Sequence, residues 1–145
     1  MGVSGNSTCQ CDLFWVPFQQ SCYRGFGHLV TWSQARAECK RHRAHLVSIG
    51  SAFENWFVYE LWKSSTGNKI AATGITFWTG LNDIDQEGIY KWADSSESVV
   101  WYRNWKLNQP DNSRNEDCVH LEPTSGRWND LNCGAHAYYM CEMRQ

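Results

Sequence analysis

The chain has 145 residues, 42% of them hydrophobic, with 9 Trp, 6 Tyr and 6 Phe; that suits one domain burying roughly 70% of the surface its unfolded chain exposes. Thirteen Lys and Arg against 15 Asp and Glu leave a net charge of −2, and the longest basic run is Lys40-Arg41-His42-Arg43, so the electrostatic footprint of a nucleic-acid binder is missing. No apolar stretch exceeds about five residues, against the ~20 that cross a bilayer, which predicts no membrane insertion.

Residues 1–10 read as a mobile leader and residues 11–145 as the folded domain. The leader holds a glycosylation triplet, Asn6-Ser7-Thr8, and Cys9. Next, Thr31-Trp32-Ser33-Gln34 is a capping box, and Trp32, Ala35, Arg36 and Cys39 follow on one face of a helix predicted over about residues 32–43. His45 to Ile49 alternates and is rich in branched residues, so it reads as extended. Ser51-Ala52-Phe53-Glu54 is a second capping box. Behind it Phe53, Trp56, Phe57 and Leu61 recur with helical period to about Ser64. After Thr76, short aromatic runs between turn residues predict an antiparallel meander: Phe77 to Leu81, Ile89 to Trp92, Trp101 to Trp105, Cys118 to Leu121, Arg127 to Asp130 and Tyr138 to Cys141. A polar excursion, Lys106 to Asp117, interrupts it. Helices early and strands late indicate an α+β domain. Trp32, Trp56, Trp78, Trp92, Trp101, Trp105 and Trp128 are assigned to the core.

Seven cysteines without paired Cys-x-x-Cys knuckles favour disulfides over zinc; Cys9-Gln10-Cys11 is one residue too tight. Disulfides imply a secreted, extracellular protein. Six cysteines can pair in fifteen ways, and Cys9, outside the patterned sequence, is the candidate for the unpaired seventh and for an interchain bridge. The acids concentrate in three places: Asp83, Asp85 and Glu87; Asp111, Glu116 and Asp117; and Asp130 beside Asn129. Oxygen ligands without Cys or His suit calcium before a transition metal, although turns on a solvated acidic face carry the same residues. The five histidines make no ligand pair, and no nucleophile motif accompanies them, so no enzyme is expected.

Cys11, Cys22, Cys39, His45-Leu46-Val47-Ser48-Ile49, Trp78-Thr79-Gly80-Leu81, Gln109-Pro110-Asp111, Glu116-Asp117-Cys118, Trp128-Asn129-Asp130, Cys133 and Cys141 fall in one order that resembles a C-type lectin carbohydrate-recognition domain over residues 11–141. The resemblance implies a fold of two helices packed on antiparallel sheets with a long calcium-binding loop region and an amino-terminal hairpin. It implies the disulfides Cys11–Cys22, Cys39–Cys141 and Cys118–Cys133, leaving Cys9. For a sugar-site calcium it implies Gln109, Asp111, Glu116, Asn129 and Asp130. For an auxiliary calcium it implies Asp83, Glu87, Asn112, Glu116 and Asp117. Gln109, Asp111, Glu116, Asn129, Ser113 and Leu131 would meet the sugar, with Arg114 in reach of an acidic substituent.

In this family Gln-Pro-Asp goes with the axial 4-hydroxyl of galactose and N-acetylgalactosamine, and Pro110 is expected to follow a cis peptide bond. The Trp and glycine-rich loop that many galactose-selective relatives carry after the triplet are absent; Asn112-Ser113-Arg114-Asn115 stands there. The expected function is therefore calcium-dependent binding of galactose-type glycans or glycoproteins on cell surfaces by a disulfide-linked homodimer. The alternative is a lectin-fold module that binds an ice, mineral or protein surface.

Overall fold

A computed structural model of the chain describes residues 10–66, 76–94, 100–110 and 116–144. Residues 1–9 of the leader, with Asn6 and Cys9, lie outside them. In chain order the elements are β1 (Val16–Phe18), β2 (Ser21–Val30), α1 (Trp32–Arg41), β3 (His45–Leu46), α2 (Ala52–Thr66), β4 (Phe77–Asn82), β5 (Lys91–Trp92), β6 (Cys118–Leu121), β7 (Trp128–Leu131) and β8 (Ala137–Arg144). Six of the strands pair in the order β1-β2-β8-β4-β6-β7, with β3 added to β8 and β5 to β4.

The sheet separates two cores, because successive side chains of a strand point to opposite faces. On β4, Phe77 and Leu81 join the cluster containing Val58 and Trp62 of α2, whereas Trp78 joins the one containing Trp32, Ala35 and Cys39 of α1. On β8, Met140 packs with the first set, and Tyr139 and Cys141 with the second. The disulfides are Cys11–Cys22, Cys39–Cys141 and Cys118–Cys133, the three pairs that the resemblance implies. Cys39–Cys141 ties α1 to β8, and Cys118–Cys133 ties β6 to the turn after β7.

The helix starts form as their sequences predict. Thr31 and Gln34 make both hydrogen bonds of the capping box, and α1 ends at Arg41. At α2, Ser51 Oγ accepts from the Glu54 amide at 3.1 Å, but the Glu54 carboxylate reaches past the cap residue to Gly50 N at 2.8 Å and accepts from Tyr23 OH at 2.6 Å.

Five expectations are corrected. The sheet is a single mixed one, because β4 and β8 run parallel, with Phe77 opposite Tyr138 and Trp78 opposite Tyr139. The longest strand, β2, precedes the helices; its Gly25, Gly27 and His28 spoil any alternation, and hydrogen bonding to β1 and β8 on its two sides holds it extended. Trp101 to Trp105 is no strand: only Trp105 makes a bridge, to Trp128. Trp101 and Trp56 are 87% and 59% exposed, so neither is core. Finally, α2 does not bury the Phe53–Trp56 stripe. Asn55, Val58 and Trp62 face inward, and Phe53 is 74% exposed. The buried stripe opens with a polar residue because Asn55 Nδ2 donates to Gly126 O at 3.0 Å and Asn55 Oδ1 accepts from Trp128 Nε1 at 2.7 Å. Burial is cheap for an amide satisfied at both ends.

Trp62 packs on Phe77 and Tyr138 at centroid distances of 5.4 and 5.0 Å. Trp62→Ala is expected to cost about 3–5 kcal/mol, and Trp56→Ala to stay within about 0.5 kcal/mol, in guanidinium chloride unfolding followed by far-ultraviolet circular dichroism. Equal costs would contradict this orientation of α2.

Candidate metal and ligand site

The residues implied as ligands come from three backbone segments held together by β4, β6 and β7. Asp83 follows β4, and its amide donates to Asp117 O at 3.0 Å, joining the first acidic loop to the entry of β6. The turn carrying Glu87 folds back so that Gly88 N donates to Asp83 Oδ2 at 2.8 Å. Gly88 sits at φ 84°, a backbone region costly for other residues. As a result, one carboxylate oxygen from each of Asp83, Glu87 and Asp117 lies within 4.8 Å of the others.

This group is short of positive charge. Asp83 is buried, Asp117 half-buried and Glu87 exposed, and Asp83 Oδ1 and Asp117 Oδ1 are enclosed without a hydrogen-bond donor. Burial pushes the Asp83 carboxyl above the usual carboxylate range, opposed by the Gly88 amide. Burial also raises Asp117, reinforced by the neighbouring Asp83. Enclosed carboxylates without donors are costly, and a hard cation with oxygen coordination removes that cost. The donor set therefore fits calcium.

β6 and β7 position the second set. Their antiparallel register puts Cys118 opposite Leu131, Val119 opposite Asp130 and His120 opposite Asn129. Asp130 is fully buried, while Asn129 and Leu131 are half-buried. Asn129 Nδ2 lies 3.1 Å from His120 Nε2. Burial lowers the His120 pKa to about 4, so at neutral pH the ring is uncharged, and its Nε2 accepts from the Asn129 amide while Nδ1 carries the proton. The nitrogen end of Asn129 is thereby assigned to His120, and Oδ1 is the end left for a cation.

Glu116 is half-buried at the approach to β6, and Gln109 is half-buried with its amide donating to Lys106 O at 2.9 Å. The Gln109–Pro110 peptide is cis. Asp111, Asn112, Ser113 and Arg114 lie outside the described residues.

Two residues that sequence reasoning passed over belong to this region. His120, one of five histidines that form no ligand pair in the sequence, orients Asn129; its place opposite Asn129 needs the β6–β7 register, which sequence alone does not supply. Tyr90 sits among the acids. Burial first, then Asp83, Asp130, Glu87 and Asp117, push its phenol well above the ordinary tyrosine range. Its hydroxyl is enclosed without a hydrogen-bond partner. One phenol thus feels carboxylates of both implied ligand sets.

A cavity of about 620 Å³ lies elsewhere, lined by Gln19, Ser21, Tyr23, Glu54, Glu142 and Arg144. None of these residues belongs to either set.

Calcium is expected to raise the melting temperature reversibly with EDTA, and Asp117→Asn to reduce that rise. The sign with pH follows from the raised Asp83 and Asp117 pKa values. Without metal, these two groups add stability as pH falls through their folded values, because the native state then binds more protons than the unfolded one. With metal, protonation competes with binding. The calcium-induced rise should therefore shrink on acidification towards the ordinary carboxylate range; scanning calorimetry at stepped pH tests this, and a rise that grew in acid would contradict the assignment.

Comparison with known proteins agrees with the architecture. The family model described as Lectin C-type domain matches residues 28–143. The chain is 38% identical over 136 residues to the alpha-N-acetylgalactosamine-specific lectin of Patiria pectinifera, covering 89% of this chain and 77% of that one. It is 39% identical over 134 residues to human versican core protein, covering 90% of this chain but only 4% of that protein's length. Among solved structures, the C-type lectin CEL-I of Cucumaria echinata superposes with a TM-score of 0.82 at 36% identity, covering 92% of this chain and 97% of that one. With a family model matching residues 28–143 and relatives of this identity and coverage, the chain belongs to the C-type lectin domain family, a family of binding proteins.

Proposed function

We propose that this domain is a calcium-dependent lectin for galactose and N-acetylgalactosamine glycans. The observation that carries the reading is the convergence of Asp83, Glu87 and Asp117 within one cation's reach, beside a β7 strand bearing Asn129 and Asp130, around the single phenol of Tyr90. Similarity to an alpha-N-acetylgalactosamine-specific lectin supports the sugar class.

In this reading Gln109, Asp111, Glu116, Asn129 and Asp130 hold the sugar-site ion, and Asp83, Glu87, Asn112, Glu116 and Asp117 the auxiliary one. Bound calcium supplies a centre that takes two vicinal sugar hydroxyls as ligands. Each hydroxyl has one proton to give and lone pairs to receive. The carboxylates of Asp111 and Glu116 accept that proton, and the amides of Gln109 and Asn129 supply oxygen to the ion or N–H to the sugar. His120 fixes which pole Asn129 offers. Ser113 and Leu131 flank the ring. Gln109, Glu116 and Asn129 are half-buried and Asp130 is buried, so a bound ion would keep one side open to the sugar, which is where selectivity arises.

A shallow site of this kind binds one sugar weakly, so pairing two domains through Cys9 would raise avidity on a multivalent surface. A secreted, extracellular protein fits the three disulfides. Among the described residues no helix is long and apolar enough to cross a membrane.

Retention on galactose-agarose in calcium, released by EDTA and by free galactose but not mannose, is the expected result. Asp111→Ala should abolish retention without lowering the melting temperature measured in EDTA. Preferential retention on mannose would overturn the hydroxyl geometry. Failure on both matrices in a calcium-binding protein would favour the surface-binding alternative. Cys9→Ser should abolish agglutination of galactose-bearing particles while leaving single-site affinity unchanged.

A further inference from the structure

We propose that a pocket beside Pro110 is a second subsite, which selects glycans carrying an anionic group on the ring next to the calcium-held galactose. This rests on the calcium-site reading above.

The pocket has a volume of about 270 Å³ and is lined by Gly88, Tyr90, Val100, Arg103, Trp105 and Pro110. It adjoins both implied ligand sets. Pro110 is the middle residue of the Gln109-Pro110-Asp111 triplet of the sugar site, and Gly88 directly follows Glu87 of the auxiliary group. The Tyr90 ring forms the shared wall: it lines the pocket while its phenol senses Asp83, Asp130, Glu87 and Asp117. Pro110, next to Gln109, puts the pocket where a ring linked to the calcium-held sugar would extend.

The lining suits a pyranose. Tyr90 and Trp105 pack edge to face at 5.0 Å, and with Val100 and Pro110 they offer apolar surface to the C–H face of a sugar ring. The wall is also fixed. Trp105 bridges Trp128, Trp128 N donates to Asn104 O at 2.7 Å, and Lys106 N donates to Trp128 O at 2.8 Å. The pocket wall therefore runs beside the strand that carries Asn129 and Asp130, and little ordering cost remains for the ligand to meet.

Arg103 decides the chemistry. It is exposed at the pocket and pairs with no carboxylate among the described residues, although Tyr90 in the same lining stands against four acids. Arg103 is thus not spent as their counter-ion. A planar guanidinium at the rim of an aromatic pocket takes a sulfate or carboxylate bidentately. Glycans supply both anions, so the shared class is an acidic galactoside.

The test uses the full chain in calcium and compares N-acetyllactosamine, the same disaccharide sulfated on its N-acetylglucosamine, and galactosyl-glucuronic acid, by titration calorimetry. At least one acidic ligand should bind about tenfold tighter than the neutral one, as charge-assisted hydrogen bonds permit, and which of the two gains identifies the anion. The ratio should fall with added salt, collapse to within about twofold in Arg103→Ala, and recover in part in Arg103→Lys. Equal binding of all three ligands with EDTA-sensitive binding intact would overturn the subsite alone, as would a ratio unchanged in Arg103→Ala. Loss of EDTA-sensitive binding to the neutral disaccharide would overturn the calcium-site reading and the subsite with it.

Discussion

The packing around Trp128 organises the ligand-bearing half of the molecule. Trp92, Tyr102 and Trp105 each meet its ring edge to face, at 5.5, 5.6 and 5.7 Å, contacts worth about 0.5–1.5 kcal/mol apiece beyond the area they bury. Its indole N–H is taken by Asn55 of α2 and its backbone N–H by Asn104. Trp128 thus fastens a helix, β5 and an irregular segment to the strand that carries Asn129 and Asp130. Gly126 completes the joint: its φ is 72°, and a Cβ there would stand 2.9 Å from the Tyr59 ring. Segments without strand pairing of their own keep their place because this hub holds them.

Rigidity of that kind is what lets the acids stay crowded. A carboxylate without a donor normally moves to water or takes up a proton. Here Asp83 is held by the Gly88 amide on one oxygen and by its own amide on Asp117 O, so neither acid can retreat without breaking the β4–β6 connection. Pairing of β6 with β4 and β7 therefore stores an electrostatic cost that an oxygen-coordinated cation relieves. Fold stability and metal affinity are linked quantities in such a site.

What sequence disclosed and what it hid divide on a physical line. Local signals held: both helix starts and the strand from Cys118 to Leu121 form; the three disulfides, which the resemblance and no local signal implied, form as well. Arg127 to Asp130 and Ile89 to Trp92 were placed within a residue or two. The failures were tertiary. In α2 apolar residues surround much of the helix, so the Phe53–Trp56 stripe looked as good as the true one. Only the partners of Asn55, 71 and 73 residues away in sequence, show which side faces inward. Trp101 and Trp105 stand in the same aromatic run, yet one is exposed and the other packs on Trp128, a difference fixed by a chain segment 23 residues on. The clustering of Asp83, Glu87 and Asp117 was legible by resemblance, whereas the roles of His120 and Tyr90 needed strand register and burial.

The pairing of His120 with Asn129 sets a limit on how acid can act on the site. An amide has an accepting and a donating end of nearly equal shape, and a ligand shell of mixed acids and amides works only if each end is fixed. A neutral imidazole nitrogen accepts and so fixes the amide one way; a protonated ring would donate and fix it the other. Burial holds the His120 pKa down at about 4, so at neutral and mildly acidic pH the ring is uncharged and the Asn129 amide keeps its orientation. Over that range acid acts on the site through its carboxylates, whose protonation competes with a bound cation, while an uncharged ring holds the geometry on β7.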